Sequence, residues 1–366
     1  METLLFGQYI QLDPGIAVQV VILGFIGGIL SGFIGSGGAF FMTPGMMNLG
    51  VPGVVAVASN ITHKFGKAMV GSRRHGEMGN VDKRLSLFMV VTSFIGIRIA
   101  VWINSALFHM EGDGHGGGGG SGASDLYISG VFICILSVVA LSMLRDVLKK
   151  GSGDQAPSRK IAEALAKIHM PPYVHFKVAD VRVSLWIVLI AGLATGYLAG
   201  TIGVGGFIGV PAMIYLFGVP TAVAAGSELY LAMYMGAWGA LNYAFQGLVD
   251  LRLTMLLYLG SLVGIFIGAY GVKVVKEVMI RMVTAIIILL CVASRAIAVP
   301  IYLRQLGWMD INPAWDGPLN GASKALLFAA GGSGVVIILY NVVRAYRQRR
   351  EIHGTLAKAG ALPETA

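Results

Sequence analysis

Residues Gly24–Asn60 read GFIGGILSGFIGSGGAFFMTPGMMNLGVPGVVAVASN, and residues Gly192–Glu228 read GLATGYLAGTIGVGGFIGVPAMIYLFGVPTAVAAGSE. The two stretches align without a gap at an offset of 168. Gly24, Gly28 and Gly32 fall on Gly192, Gly196 and Gly200; Gly35, Gly37 and Gly38 fall on Gly203, Gly205 and Gly206. Gly50-Val51-Pro52 falls on Gly218-Val219-Pro220, and Ser59 on Ser227. The register continues through Val81-Asp82 on Val249-Asp250, Arg84-Leu85 on Arg252-Leu253, Ser93 on Ser261 and Gly96 on Gly264. A duplicated apolar unit interrupted by glycine points to a transporter with its site between the halves.

Composition agrees with that reading. Hydrophobic residues make up 56% of the 366-residue chain and charged residues 12%, where a soluble domain carries about 25% charge. Apolar runs near spanning length recur throughout, so the fold class is an all-α polytopic membrane protein. No series of short alternating strands supports a β-barrel. The net charge of +9 would suit nucleic acid in a soluble protein. Here it sits in loops and tails, where it sets orientation, and no nucleic-acid partner is expected. Cys134 and Cys291 lie within apolar runs as small buried hydrophobes. The N-terminus has no basic region before its first apolar run and reads as retained rather than cleaved.

The expected segments are 16–35, 38–50, 55–73, 85–104, 125–144, 183–203, 205–218, 225–246, 251–272, 281–300 and 322–343. At 1.5 Å per residue, 38–50 and 205–218 are too short to span, and each is expected to form a broken or re-entrant helix with its neighbour. Basic residues crowd Lys64–Arg84, Arg145–Arg182 and the tail from Arg344, which places these segments in the cytoplasm. His109–Ser124 has no Lys or Arg and should face outside, as should Tyr302–Asn320. The segment near 85–104 then leaves from the cytoplasm, whereas its mate near 251–272 starts outside and ends at Lys273 and Lys276. The repeats therefore have inverted topology, with the N-terminus outside and the C-terminus cytoplasmic. The expected units are an N-terminal transmembrane repeat 1–145, a cytoplasmic linker 146–182, a C-terminal transmembrane repeat 183–343 and a basic cytoplasmic tail 344–366. Within the linker, Ser158–Ile168 has the spacing of an amphipathic helix, lying on the membrane surface or serving as a soluble connector. His109, Glu111, Asp113 and His115 border a glycine tether that does not preorganise metal ligands. No metal, cofactor or catalytic residue is expected.

Gly24, Gly28 and Gly32 have helix-packing spacing. The turns Gly35-Ser36-Gly37-Gly38 and Gly203-Val204-Gly205-Gly206 are different. Unwound backbone at membrane depth must line a cavity or be buried in protein. Helices starting there aim free N–H groups at the shared space, a geometry that suits an anion. Asn60, His63, Lys64 and Lys67 share one helix face, and Glu228 replaces Asn60 in the second copy. The lysines form a cationic wall or snorkel to the cytoplasmic end. Glu228 is costly as an anion in an apolar segment and is a functional candidate, or it sits at a helix start near the interface. Arg98 is an anion-pathway charge or a buried partner for Glu228. Arg295, close to a helix end, is expected to reach the interface. Tyr230, Tyr234 and Asn242 could line the second wall.

At these residues the chain resembles the TauE/SafE family of sulfite and sulfonate permeases, also called the toluene-sulfonate uptake permease family. The resemblance rests on Gly-x-x-x-Gly-x-x-Gly-x-Gly-Gly at 28–38 and 196–206, and on Gly-Val-Pro followed by an Ala-rich run to Ser59 and Ser227. It rests also on His75-x-x-x-Gly79-Asn80-Val81-Asp82, echoed by Gly247-Leu248-Val249-Asp250. It implies a carrier, often an exporter, of small sulfur oxyanions or organosulfonates in the bacterial inner membrane. Asn60 and Glu228 stand where the pattern has small hydroxyl residues.

The resulting expectation is a secondary anion transporter alternating between inverted halves. The two glycine turns, Ser59, Asn60 and Ser227 would hold the anion, and His63 and Lys64 would supply positive potential. Glu228, with Arg98 and Tyr234, would couple to protons or gate. The alternatives are a cation channel or carrier organised around Glu228, or a carrier of a different small organic anion. A homodimer is compatible with the chain, and nothing in the sequence specifies one.

Overall fold

The computed structural model describes residues 10–34, 38–112, 122–150, 162, 170–275 and 277–358. Among them lie eleven α-helices: α1 (Pro14–Ile34), α2 (Ala39–Asn48), α3 (Gly53–Glu77), α4 (Lys83–Gly112), α5 (Gly122–Lys150), α6 (Leu185–Ile202), α7 (Gly205–Phe217), α8 (Thr221–Phe245), α9 (Leu251–Val274), α10 (Glu277–Gln305) and α11 (Asp316–Lys358). Every expected apolar segment is a helix, and most overrun their expected ends. α1, α4, α5, α6, α9, α10 and α11 each hold a stretch long and apolar enough to cross a membrane. α3 and α8 are 25 residues each but less apolar, because α3 carries His63, Lys64 and Lys67 and α8 is rich in Gly, Ala and Tyr.

Packing between the two copies is reciprocal. α1 lies parallel to α9: a Cβ at Gly24 would stand 2.6 Å from the Leu257 carbonyl oxygen, and one at Gly28 2.6 Å from that of Ser261. α6 lies parallel to α4 in the same way, with Gly192 against Met89 and Gly196 against Ser93. Each of these residues is the 168-offset mate of its counterpart in the first pair. Backbones this close admit no side chain, which is why glycine recurs in both copies. The mates α3 and α8 pack antiparallel. Ile61 meets Gly239, Phe65 meets Gly236 and Gly71 meets Leu229, contacts centred on Gly66 and Tyr234.

Ser59 and Ser227 belong to this seam. Ser59 Oγ donates to the Asp250 carbonyl at 3.4 Å, and Thr254 Oγ1 donates to the Ser59 carbonyl at 3.4 Å. In the other copy Ser227 Oγ accepts from Asp82 N at 2.8 Å, and Ser86 Oγ donates to the Ser227 carbonyl at 2.8 Å. Both serines are fully buried.

Outside the core, α4 exposes Val91, Ile95, Ile99 and Trp102, and α9 exposes Leu259, Leu262, Val263 and Phe266. Such apolar surface is stable against lipid and not against water.

Three features depart from the sequence reading. Cys134 is exposed on α5 rather than buried, whereas Cys291 is buried. A β-hairpin of β1 (Tyr173–Phe176) and β2 (Val181–Ser184) precedes α6, so the 182/183 boundary falls within β2. Asp82 holds it: Oδ2 accepts from Val178 N and Ala179 N at 3.1 Å each, while Oδ1 caps α4 through Leu85 N at 3.0 Å. Arg295 does not reach an interface. It is 1% exposed and donates to the Tyr302 hydroxyl at 2.9 Å, because α10 continues ten residues beyond it to Gln305. The Ser158–Ile168 helix, apart from Ala162, lies outside the described residues, as do Asp113 and His115.

Candidate functional site

α6 stops at Ile202 and α7 starts at Gly205. Gly203 makes the turn with φ 76°, a left-handed conformation that favours glycine. A Cβ there would also come within 3.0 Å of Thr43 Oγ1 and 3.1 Å of Asn60 Nδ2. The last carbonyls of a helix lack intrahelical partners, and here side chains satisfy them. The Gly200 carbonyl accepts from the Tyr243 hydroxyl at 2.7 Å. Those of Thr201 and Ile202 accept from Asn104 Nδ2 at 3.2 Å and Thr43 Oγ1 at 3.1 Å. The start of α7 has no side-chain cap, and neither has α2 after Gly38. The break therefore leaves the last backbone carbonyls of α6 occupied and the first N–H donors of α7 free of side-chain caps, while among the described residues the side-chain oxygens Asn60 Oδ1 and Asn104 Oδ1 have no partner. The dipole of the 13-residue α7 places positive potential there as well.

Asn60 joins the two copies at this break. Its Nδ2 donates to the Ala39 carbonyl at 3.0 Å and to Thr43 Oγ1 at 2.8 Å. Its Oδ1 is buried without a hydrogen-bond partner. A side chain from the first copy thus stands against the glycine turn of the second.

Glu228, the mate of Asn60, is 1% exposed on α8. Lys64 Nζ on α3 is 3.9 Å from its Oε1, and among the described residues neither carboxylate oxygen accepts a hydrogen bond. Gly209 on α7 lies against Oε2, leaving no room there for a larger residue. One face of α3 continues the charged cluster. His63 Nε2 is 2.7 Å from Ser261 Oγ and its ring rests on Tyr258, centroids 4.6 Å apart. Lys67 Nζ donates to Ser31 Oγ at 2.9 Å, near the end of α1.

The structure therefore brings Asn60, Gly203 and the first turn of α7, with Gly205 and Gly206, to one place, and pairs Lys64 with Glu228. Gly35, Ser36 and Gly37 lie outside the described residues. Arg98 is not the partner of Glu228: its Nη1 donates to Asn242 Oδ1 at 3.0 Å and its side chain is exposed. The Tyr234 hydroxyl lies 3.1 Å from that of Tyr230. Thr43, Asn104, Tyr243 and Gly209 enter the site unanticipated. Their signal in the sequence was no more than isolated polar residues, and one glycine, within apolar runs.

Comparison with known proteins gives a consistent answer. The family model described as "Sulfite exporter TauE/SafE" matches residues 20–295. Among curated relatives, "Probable membrane transporter protein YdhB" of Bacillus subtilis (strain 168) is 22% identical over 269 residues, 72% of this chain and 93% of that protein. "Probable membrane transporter protein YjnA" of the same organism is 23% identical over 256 residues, 69% of this chain and 89% of that protein. No solved structure matches the chain. The matched region takes in both glycine turns, the Asn60 junction and the Lys64–Glu228 pair: the chain belongs to the TauE/SafE sulfite exporter family of membrane transporters.

Proposed function

We propose that the protein exports small sulfur-containing anions, such as sulfite or organosulfonates, across the bacterial inner membrane. It works as a secondary transporter by alternating access between two inverted repeats, 1–145 and 183–343. The linker 146–182 and the tail 344–366 lie in the cytoplasm, and the N-terminus lies outside. The observation that carries this reading is the asymmetry at the α6–α7 break. Tyr243, Asn104 and Thr43 occupy the carbonyls, while the N–H groups opening α7 have no side-chain cap. Backbone carbonyls already engaged, beside helix N–H donors left open, suit an anion.

Lys64 and Glu228 supply the switch. With Glu228 ionised, its carboxylate is the partner of the Lys64 ammonium. Protonation of Glu228 frees that ammonium for the transported anion, so proton and anion occupancy become linked. His63, fixed by Ser261 and Tyr258, orients the face of α3 that carries Lys64 and Lys67. The alternative built on Glu228 as a cation site is weakened by the lysine already beside it.

Ion selectivity tests the reading. Proteoliposomes holding the purified protein should carry labelled sulfite and not rubidium or sodium. Cation flux without sulfite flux would replace the anion carrier with a cation pathway.

A further inference from the structure

Arg98 sits on a face of α4 that looks away from the core. Val91, Ile95, Ile99 and Trp102 on the same face are exposed apolar residues. The second copy carries Phe266 at the equivalent position, 72% exposed, as a lipid-facing surface requires. The architecture therefore accepts an apolar residue here and does not call for arginine. Asn242 takes one of the five guanidinium donors.

These donors open into a cavity of about 230 Å³ at the junction of α4 with the end of α8. Trp102, Ser105, His109 and Gln246 line it with Arg98, and among the described residues no carboxylate does. Ser105 Oγ donates to Gln246 Oε1 at 3.2 Å, bridging the two helices at the rim. Leu241 and Phe245 of α8 and Trp102 of α4 are exposed beside it. Its walls thus set one cation and three polar side chains among Val101, Trp102 and Ala106, and its borders are apolar.

Depth favours a lipid. The α3–α8 contacts are centred on Gly66 and Tyr234. Asn242 is eight residues further along α8, about 12 Å at 1.5 Å per residue. Half of a bilayer core is about 15 Å. In the proposed inverted-repeat architecture the α3–α8 crossing marks the bilayer midplane, which puts the Arg98 guanidinium, held at Asn242, just inside the hydrocarbon boundary and within reach of a phosphate.

We propose that this groove binds the headgroup of an anionic phospholipid of the phosphatidylglycerol class. Its phosphate would engage the Arg98 fork, its glycerol hydroxyls would meet Ser105, His109 and Gln246, and its acyl chains would lie over Ile95, Ile99 and Leu241. Arginine suits a phosphate because two parallel N–H donors match two of its oxygens.

The test is lipid retention by the purified full-length protein, read by native mass spectrometry after exchange into mixed micelles. Phosphatidylglycerol and phosphatidylcholine of identical chains are compared. The wild type should retain phosphatidylglycerol roughly tenfold more strongly, the worth of one good charge-assisted contact. Arg98→Phe, which installs the residue of the other repeat, should erase the preference, and Arg98→Lys should keep part of it. Equal retention of both lipids by the wild type would overturn the proposal. So would an unchanged preference in Arg98→Phe. Glycerol phosphate displacing phosphatidylglycerol at equal concentration would also overturn it, by assigning the site to a free anion. A dimer that forms in place of lipid binding and is lost on Arg98→Phe would give the groove to a second copy of the chain instead.

Discussion

Lys64 and Glu228 face each other from repeat-related helices, Nζ 3.9 Å from Oε1, with the carboxylate 1% exposed. Repeat symmetry alone would place identical residues at both positions. The second copy instead has Ala232 where the first has Lys64, and the first has Asn60 where the second has Glu228. The pair thus breaks the symmetry of an otherwise reciprocal core and gives one face of the molecule a titratable group.

Removing one partner leaves the other buried and uncompensated. Lys64→Met or Glu228→Met alone should lower stability by about 3–5 kcal/mol. The double substitution should cost less than the sum of the two, with a coupling of about 0.5–3 kcal/mol. Denaturant unfolding of the purified protein in detergent reads this cycle; additive losses would mean that the two groups do not interact.

The α1–α9 and α6–α4 contacts predict matched sensitivity at mates. Gly28→Val and Gly196→Val would each push a side chain into the backbone of Ser261 or Ser93. Overpacking typically costs about 1–3 kcal/mol, and rigid backbone cannot give way as a side chain can. Both variants should lose monodisperse protein on size exclusion. Gly332→Ala, which meets nothing within 4 Å, should not.

Tyr243→Phe removes the hydroxyl that satisfies the Gly200 carbonyl and accepts from Asn104. Stability should fall by about 0.5–1.5 kcal/mol, the worth of a lost hydrogen bond, because Asn104 Nδ2 still donates to the Gly200 carbonyl at 3.4 Å and to the Thr201 carbonyl at 3.2 Å. The sulfite concentration giving half-maximal flux should stay the same, because the hydroxyl serves the acceptor side of the break. A changed half-saturation with unchanged stability would place Tyr243 in the anion path.

Asn60→Asp keeps the side-chain size and adds a negative charge beside Gly203. Half-saturation for sulfite should rise at least tenfold, equivalent to about 1.4 kcal/mol. An unchanged value would remove Asn60 from the binding site.

Most of the architecture was legible because close helix contacts need glycine at the same register in both copies. The glycine spacing marked Gly24, Gly28 and Gly32 as packing positions, and the fold supplies the backbones they meet. The hairpin 173–184 escaped, although Val174 and Phe176 alternate with His175, since its charged turn reads as a loop. Asp82, whose motif was visible, turned out to bind that hairpin.

The site was partly legible. Asn60, Gly203, Lys64 and Glu228 stood out as polar or turn residues in apolar surroundings. Ser59 and Ser227 stood out for matching each other, but identical residues at mates marked the seam, where both hydroxyls are engaged. The informative positions were those where the copies differ. Thr43 and Asn104 could not be foreseen, because which backbone carbonyl a lone hydroxyl or amide reaches depends on how the helices cross. Arg295 lies deeper than its position in the sequence suggests, because α10 continues to Gln305 and Tyr302 encloses its guanidinium.

The most direct measurement is sulfite flux in proteoliposomes with and without an imposed pH gradient, for the wild type and Glu228→Gln side by side. The account predicts wild-type flux that follows the gradient, and flux in Glu228→Gln that no longer responds to it. Sulfite flux with the same pH response in both proteins would contradict the assignment of Glu228 and Lys64 as the switch.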